Sequence, residues 1–416
     1  MTVASCTNGD AETKPPTEVS TENPTEGSAT DTIETPTPDI AESIKPSSTP
    51  TSFPGKIGII TNSTDADHIN HGGIESIIKK YDYENYKKVT DFEQSSNDMK
   101  ITHRIWRYNL PETFLLPLRD ISEDEDINTI ITVPTIYGVW ETLKEIKVNR
   151  DDIFYICINS WDEFADIASQ ADIVIQPDFS AMGASMVRQA KKMGASTFVH
   201  YTFPHLLSNT EFTSRQEQIK RECVKLNIEF IDAVYTPTSD SAAERIQFLE
   251  EDVPKMVKKY GKDTAFCNIF PSYNYNIILQ SVIDSEAIYI QAHEESFYAE
   301  FSESLGIDVY GNGHALISAD ELKTKIIEAL SEKNMLGRTA ALPVPPQFML
   351  TDISVNYAIK RLNGEVPEEG VDIEVLTQLM TDYAGVQVYL TPYTDSETGV
   401  TYDNYLMMEM DYITFE

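Results

Sequence analysis

From residue 54 onward, the chain repeats one pattern: a short apolar run ends in polar residues, and a segment with helical spacing follows it. Residues 56–61 form the first apolar run, and Ile74, Ile77 and Ile78 mark one face of the segment after it. Strands that are apolar throughout are typical of parallel sheets covered by helices on both faces. The alternation therefore predicts an α/β fold.

The same pattern predicts eight further strands, at residues 101–108, 128–133, 153–158, 171–176, 197–201, 229–235, 264–269 and 287–291. More than eight strand–helix units in this length of chain fit two sheets better than one. In open α/β sheets, ligands bind beyond the carboxyl ends of the strands. The residues that follow each apolar run are therefore the candidate ligand contacts.

The first part of the chain has a different character. Residues 7–52 are rich in Ser, Thr and Pro, carry acidic residues between them and have almost no apolar side chains. Such a segment buries too little surface to offset its chain entropy, so it is predicted to be a disordered tether. Upstream, Val3, Ala4, Ser5 and Cys6 resemble the lipobox of bacterial lipoproteins, which implies that Cys6 carries a diacylglyceryl group. Only Met1–Ser5 precede this cysteine, and an ordinary disordered N-terminus is the alternative.

Charge excludes some classes of partner. The chain has 67 Asp and Glu against 32 Lys and Arg, a formal charge of −35. A nucleic-acid-binding surface needs clustered basic residues to displace counterions, and anionic lipid attracts basic patches. Neither partner is therefore predicted, and no run approaches the roughly 18 apolar residues of a membrane-spanning helix.

Motifs of enzymes and metal sites are missing from the sequence. It contains no G-x-S-x-G elbow, no G-x-G-x-x-G after the first strand and no phosphate-binding G-x-x-x-x-G-K-[ST] loop. The most metal-like cluster, at residues 65–71, lacks the Glu of H-E-x-x-H and is more typical of residues that cap a helix. We therefore predict no catalytic residue, no metal and no cofactor.

Several stretches carry a resemblance to a family. Residues 189–204 (QAKKMGASTFVHYTFP), 237–240, 260–266, 402–405 and 411–415 resemble an uncharacterised family of clostridial lipoproteins with the type I periplasmic-binding-protein fold. The resemblance implies two Rossmann-like lobes, three hinge crossings and a ligand cleft between the lobes. It places residues 54–178 and a return segment near 312–365 in lobe 1, and residues 179–311 and 366–416 in lobe 2. The loops at 205–208 and 267–271 depart from the family, which implies a changed ligand.

The candidate ligand contacts are the polar and aromatic residues after the predicted strands. They are Asn62, Ser63, Thr135, Asn159, Trp161, Asp178, His205, Asp240, Tyr273, Asn274 and His293. Ser63 and Asp240 could instead cap helices, Trp161 could pack against its own helix, and His293 could lie in an exposed loop. His200, within an apolar run, is predicted to be a core histidine whose hydrogen bonds are satisfied.

The charges at these positions indicate the kind of ligand. No strand end combines two arginines, which a multiply charged anion would need. We therefore expect a small neutral polar ligand, such as a sugar, a nucleoside or a vitamin-like compound. The predicted protein is a monomeric solute-binding lipoprotein on the outer face of the cytoplasmic membrane, which serves an ABC permease. The alternatives are a ligand sensor with the LacI-type effector fold and no DNA-binding domain, or an enzyme. The tyrosine-rich end, 371–416, is predicted to dock across the hinge.

Overall fold

A computed structural model describes residues 53–63, 68–82, 85, 99–107, 115–235, 241–268, 275–292, 297–309, 317 and 319–416. The strands are β1 (Lys56–Ser63), β2 (Ile101–Arg107), β3 (Ile127–Val133), β4 (Phe154–Ile158), β5 (Ile173–Pro177), β6 (Thr197–Thr202), β7 (Glu229–Val234), β8 (Thr264–Asn268), β9 (Ile288–Ile290), β10 (Thr339–Ala341), β11 (Val388–Thr394), β12 (Thr401–Met410) and β13 (Ile413–Thr414). All nine predicted strands are confirmed.

The helices follow the strands in alternation. They are α1 (His68–Tyr81), α2 (Leu116–Ser122), α3 (Val139–Ile146), α4 (Phe164–Gln170), α5 (Phe179–Lys192), α6 (Thr210–Leu226), α7 (Ala242–Tyr260), α8 (Tyr275–Asp284), α9 (Phe297–Leu305), α10 (Ala319–Glu332), α11 (Pro346–Leu362) and α12 (Ile373–Ala384). A short 3₁₀ helix, Pro204–Ser208, follows β6.

The first sheet has seven strands in the order β11-β12-β5-β4-β3-β1-β2. All neighbours are parallel except β11 and β12, which form an antiparallel hairpin. The inner strands are buried along their whole length: every residue of β4 and β5 is buried. This is the burial expected of strands covered by helices on both faces.

The second sheet has six strands in the order β13-β10-β9-β8-β6-β7. Its pairs are parallel except for β10 with β13. Two mostly parallel sheets of this kind give the type I periplasmic-binding-protein-like α/β fold that the sequence predicts. Within the described residues, no helix is both long and apolar enough to span a bilayer.

Three segments lead from one sheet to the other. The chain crosses between β5 and β6, then between β10 and β11, and finally between β12 and β13. The strand pairing corrects the predicted return segments. β10, within the predicted lobe 1 segment 312–365, belongs to the second sheet, whereas β11 and β12, within the predicted lobe 2 segment 366–416, belong to the first. β10 belongs to the second sheet because it pairs with β9, and β12 belongs to the first because it pairs with β5. The sequence pattern does not show which strands pair.

Close packing joins helix α5, which follows the first crossing, to helix α6. Gly183 on α5 faces Arg215 on α6, and a β-carbon at Gly183 would lie 2.5 Å from the main-chain oxygen of Arg215. Only glycine allows the two helix backbones to come this close without displacing one of them. The apolar core around α5 includes Met186, Ile219 and strand residues of both sheets, so it is continuous from one sheet to the other.

Candidate ligand-binding cleft

The carboxyl edges of the two sheets meet at the three crossings. A groove of about 250 Å³, counted with its open mouth, lies at this meeting point. Its lining comes from all three crossings: Pro177, Asp178 and Met182 from the first, Leu342 and Pro346 from the second, and Met408, Glu409 and Met410 from the third. The edges at which open α/β sheets bind ligands therefore lie next to each other at this groove, which we call the hinge groove.

An aromatic pair occupies the carboxyl edge of the first sheet. Tyr137 follows β3 and is 70% exposed, an unusual exposure for so large a ring. Trp161 follows β4 and is partly buried, and the centroids of the two rings are 5.9 Å apart at an interplanar angle of 56°. The geometry is that of a favourable tilted aromatic pair. One ring is thus supported by the other and presents an aromatic surface to solvent.

Asp162 holds the loop that carries Tyr137. Its buried carboxylate accepts hydrogen bonds from the main-chain N–H of Gly138 at 2.7 Å and of Trp140 at 3.0 Å, at the start of α3. Burial raises the pKa of this carboxyl, and the two N–H donors oppose that rise. The loops after β3 and β4 are therefore fastened together directly beneath the aromatic pair.

Asn159 adopts a left-handed backbone conformation, with φ of 51°, immediately after β4. Its main-chain N–H donates to the carbonyl of Ile175, and its side chain is 9% exposed. Among the described residues, its side-chain amide has no hydrogen-bonding partner. A side-chain amide offers two N–H donors and one acceptor oxygen to a polar ligand.

Thr135, a predicted ligand residue, is buried at the end of β3 and its hydroxyl is already bonded within the protein, so its ligand role stays a prediction. Its side chain is fully buried, and its hydroxyl bonds with the hydroxyl and the carbonyl of Thr132. Its main chain bridges to Ser160, so it joins the ends of β3 and β4. The sequence correctly places Thr135 at a strand end, where Thr132 of the same strand bonds its hydroxyl and the end of β4 bonds its main chain.

Asp178 lies at the first crossing, on the wall of the hinge groove. Its carboxylate accepts from the N–H of Ala181 at 2.8 Å and so caps α5, while its own N–H donates to the carbonyl of Met408. The helix cap that is typical of such positions is present. A ligand contact by this partly exposed side chain stays a prediction.

The side chains of the other predicted ligand residues lie outside the part of the chain that the structure describes. The backbone of Asn62 and Ser63 belongs to β1, and that of His205 belongs to the 3₁₀ helix, but their side chains lie outside the described part. The remaining predicted residues lie wholly outside it: Cys6, Asp240, Tyr273, Asn274 and His293. Their roles stay predictions.

Arg215 lies at the carboxyl edge of the second sheet, and the sequence analysis did not identify it. It is 1% exposed, and its guanidinium donates to the carbonyl of Ala292, after β9, at 2.7 Å and to that of Asn268, at the end of β8, at 3.5 Å. The arginine thereby holds two neighbouring strand ends. Its place on α6 gave no sequence signal, because the strand-end rule selects only residues that follow strands.

His200, on β6, is completely buried, as predicted, but only one of its ring nitrogens is satisfied. Nδ1 bonds the hydroxyl of Thr202, which in turn donates to the carboxylate of Asp232. Nε2 has no partner among the described residues. Burial lowers the pKa of His200 to about 3, and the positive charges of Arg215 and Lys220 add to the effect.

A family model described as "Protein of unknown function (DUF3798)" matches residues 55–340. An uncharacterised protein of Treponema pallidum (strain Nichols) is 28% identical over 160 residues, which is 38% of this chain and 74% of that protein.

Many solved structures are similar, and two of them serve as examples. One is a Clostridium difficile 630 protein described as a candidate transcriptional regulator, with a TM-score of 0.75 and 21% identity, covering 87% of this chain and 99% of that one. The other is an ABC transporter solute-binding protein of Bradyrhizobium sp. BTAi1 with bound bis-tris, with a TM-score of 0.46 and 10% identity, covering 87% of this chain and 83% of that one. At these identities, the likeness is one of fold.

Proposed function

The chain belongs to the family described as protein of unknown function (DUF3798), and from the fold of this member we propose that it is a solute-binding protein. In this proposal, a small neutral polar molecule, such as a sugar, a nucleoside or a vitamin-like compound, binds between the carboxyl edges of the two sheets. Closure about the three crossings then encloses the ligand, since contacts from both lobes stabilise the closed state.

The aromatic pair is the observation that carries the proposal. Tyr137 and Trp161 present a supported ring surface at the edge where α/β sheets bind ligands, with the unpartnered amide of Asn159 beside it. Binding pockets combine such apolar contact area with a few polar groups that fix orientation. A ring with hydroxyl or amide groups matches this combination.

The arginines support a neutral ligand. Arg215 uses its guanidinium on main-chain carbonyls, and Arg188, beside the hinge, is paired with Glu409. Binding of a phosphate or a dicarboxylate would call for a guanidinium aimed into the cleft. Among the described side chains at the two carboxyl edges, these arginines instead hold the protein itself together.

Attachment and delivery complete the proposal. Cys6 would carry the lipid that tethers a monomer to the outer face of the cytoplasmic membrane, and an ABC permease would receive the ligand. A membrane-tethered sensor would use the same cleft and closure, and the description of the Clostridium difficile protein keeps that alternative in view. Mass spectrometry of the native protein tests the anchor, because an unmodified residue upstream of Cys6 contradicts it.

The experiment that tests ligand binding is a thermal-shift and calorimetric screen of hexoses, pentoses, nucleosides and their phosphorylated forms. We expect a neutral compound to bind, and we expect Tyr137→Ala to weaken its binding about 5- to 150-fold, since stacking on an aromatic ring contributes roughly 1–3 kcal/mol. Tyr389→Ala is the matched control, because Tyr389 is also exposed but lies on the edge strand β11. Equal affinities for the two variants would contradict the assigned site.

A further inference from the structure

Two of the three crossings are fastened to one residue, Gln291, directly after β9. The main-chain N–H of Leu342, at the second crossing, donates to the side-chain oxygen of Gln291 at 3.0 Å. The hydroxyl of Tyr412, at the third crossing, donates to the main-chain oxygen of Gln291 at 2.9 Å. Gln291 itself is fully buried, and its N–H donates to Ala340 on β10.

The first crossing reaches the same place through α5 and α6. Gly183 on α5 packs against Arg215 on α6, and the Arg215 guanidinium donates to the carbonyl of Ala292, the residue after Gln291. The segment 291–292 therefore receives a contact from the elements of all three crossings. It also leads directly along the chain to His293, a predicted ligand residue.

The third crossing shows how sharply the chain changes lobes. The N–H of Asp411 donates to the carbonyl of Gln387, next to β11 in the first sheet. The hydroxyl of the next residue, Tyr412, bonds Gln291 beside the second sheet. Consecutive residues are thus attached to different sheets, and the bonds at Gln291 define where the second lobe begins.

The side chain of Gln291 is not explained by stability alone. Its Nε2 is buried and has no partner among the described residues, and an unsatisfied buried donor is destabilising. What this side chain contributes is its oxygen, which accepts from the main-chain N–H of Leu342.

Helix α5 makes further side-chain contacts near the crossings: Arg188 and Ser185 bond Glu409 on β12, and Gln189 bonds Thr414 on β13. The Arg188–Glu409 ion pair is partly exposed to water, so it contributes little on its own.

We propose that Gln291 is the positioning residue of the hinge: by holding Leu342 and Tyr412, it sets the angle between the lobes and links that angle to the end of β9. The role of this angle in ligand capture rests on the proposed function. The linkage itself is a property of the protein without ligand, so it is measured separately from ligand binding.

The test is a distance measurement by pulsed electron spin resonance on the full-length protein without ligand. Spin labels are placed on Val148→Cys, after α3, and Val224→Cys, on α6, which are 79% and 82% exposed. Cys6→Ser removes the cysteine of the predicted tether, and Cys157, Cys223 and Cys267 are buried. The label distance then reports the angle between the lobes.

The variants are Tyr412→Phe and Gln291→Met, with Tyr405→Phe as the matched control. Tyr405 is also buried, and its hydroxyl donates to Gln176 at 2.7 Å, but both residues belong to the first sheet. Removal of either hydroxyl loses a buried hydrogen bond, so similar decreases in melting temperature are expected. Gln291→Met removes the unsatisfied Nε2 donor but leaves the buried N–H of Leu342 without its acceptor. The two effects oppose each other, so its melting temperature is expected to decrease less than that of Tyr412→Phe.

We expect one narrow distance distribution for the wild type and Tyr405→Phe, and a broadened or second distribution for Tyr412→Phe and Gln291→Met. Coinciding distributions for Tyr412→Phe and Tyr405→Phe would overturn the proposal, and this comparison suffices if Gln291→Met fails to fold. If the ligand screen finds no ligand, the proposed function fails while the distance result stands.

Discussion

The carboxylate of Asp162 provides the most direct perturbation of the candidate cleft. Substitution of Asp162 by Asn removes one of the two oxygens that accept from Gly138 and Trp140 and turns an N–H donor toward one of these donors. The change is buried, so solvent cannot replace the lost acceptor. The loop that carries Tyr137 should therefore lose one of its two attachments.

The expected magnitude follows from the contacts. A hydrogen bond to a charged group contributes about 1.5–3 kcal/mol, and a buried donor left unpaired costs about 1–3 kcal/mol. Because burial raises the pKa of Asp162, neutralisation of its charge regains a small part of that loss. We therefore expect Asp162→Asn to lower the free energy of unfolding by about 2 kcal/mol.

Urea unfolding at pH 7, followed by tryptophan fluorescence, measures this change. The protein has three tryptophans, and both Trp140 and Trp161 lie at the perturbed loop. Glu163→Gln is the matched control: it removes the same charge at the next position, which is exposed, so a change within about 0.5 kcal/mol is expected. Equal unfolding free energies for the two variants would refute the assigned role of Asp162.

Two further predictions concern the second lobe. The pKa of His200 is lowered from 6.5 to about 3, so the unfolded chain binds a proton that the folded protein does not, and stability is lost as pH falls between these values. Urea titrations measure the free energy of unfolding of the wild type and of His200→Gln at several pH values. The difference between the two should shrink by about 1.4 kcal/mol per pH unit below pH 6.5. A difference that does not change with pH would contradict a buried neutral histidine. Gly183→Ala should lower the melting temperature, because the added carbon would lie 2.5 Å from the main-chain oxygen of Arg215. Alanine in place of glycine normally stabilises a helix, so an increase in melting temperature would contradict the close packing of α5 and α6.

The sequence predicted the inner strands well because their burial leaves a continuous apolar run. It missed β10, which has only three residues, and the hairpin of β11 and β12, whose strands are only partly buried. An exposed face allows polar residues and tyrosines, so neither periodicity nor composition distinguished these strands. The assignment of the return segments failed for the same reason, since pairing with β9 and β5 is not encoded locally.

The sequence indicated which edge of the sheet carries the candidate cleft, but it indicated the individual residues there less well. The strand-end rule selected Asn159 and Trp161, which lie at the carboxyl edge of the first sheet, and also Thr135, whose hydroxyl bonds that of Thr132. It missed Tyr137 and Asp162, because their relation depends on contacts between two loops that lie 24 residues apart. The exposed tyrosine before Gly138, at the start of α3, is the signal that could have identified the first of them.

Native mass spectrometry of the gently purified full-length protein, followed by denaturation, tests ligand capture most directly. We predict that the wild type and Tyr389→Ala retain a small neutral molecule that is released on unfolding, and that Tyr137→Ala loses it. A retained molecule that carries several negative charges, or equal retention by Tyr137→Ala and Tyr389→Ala, would contradict the account.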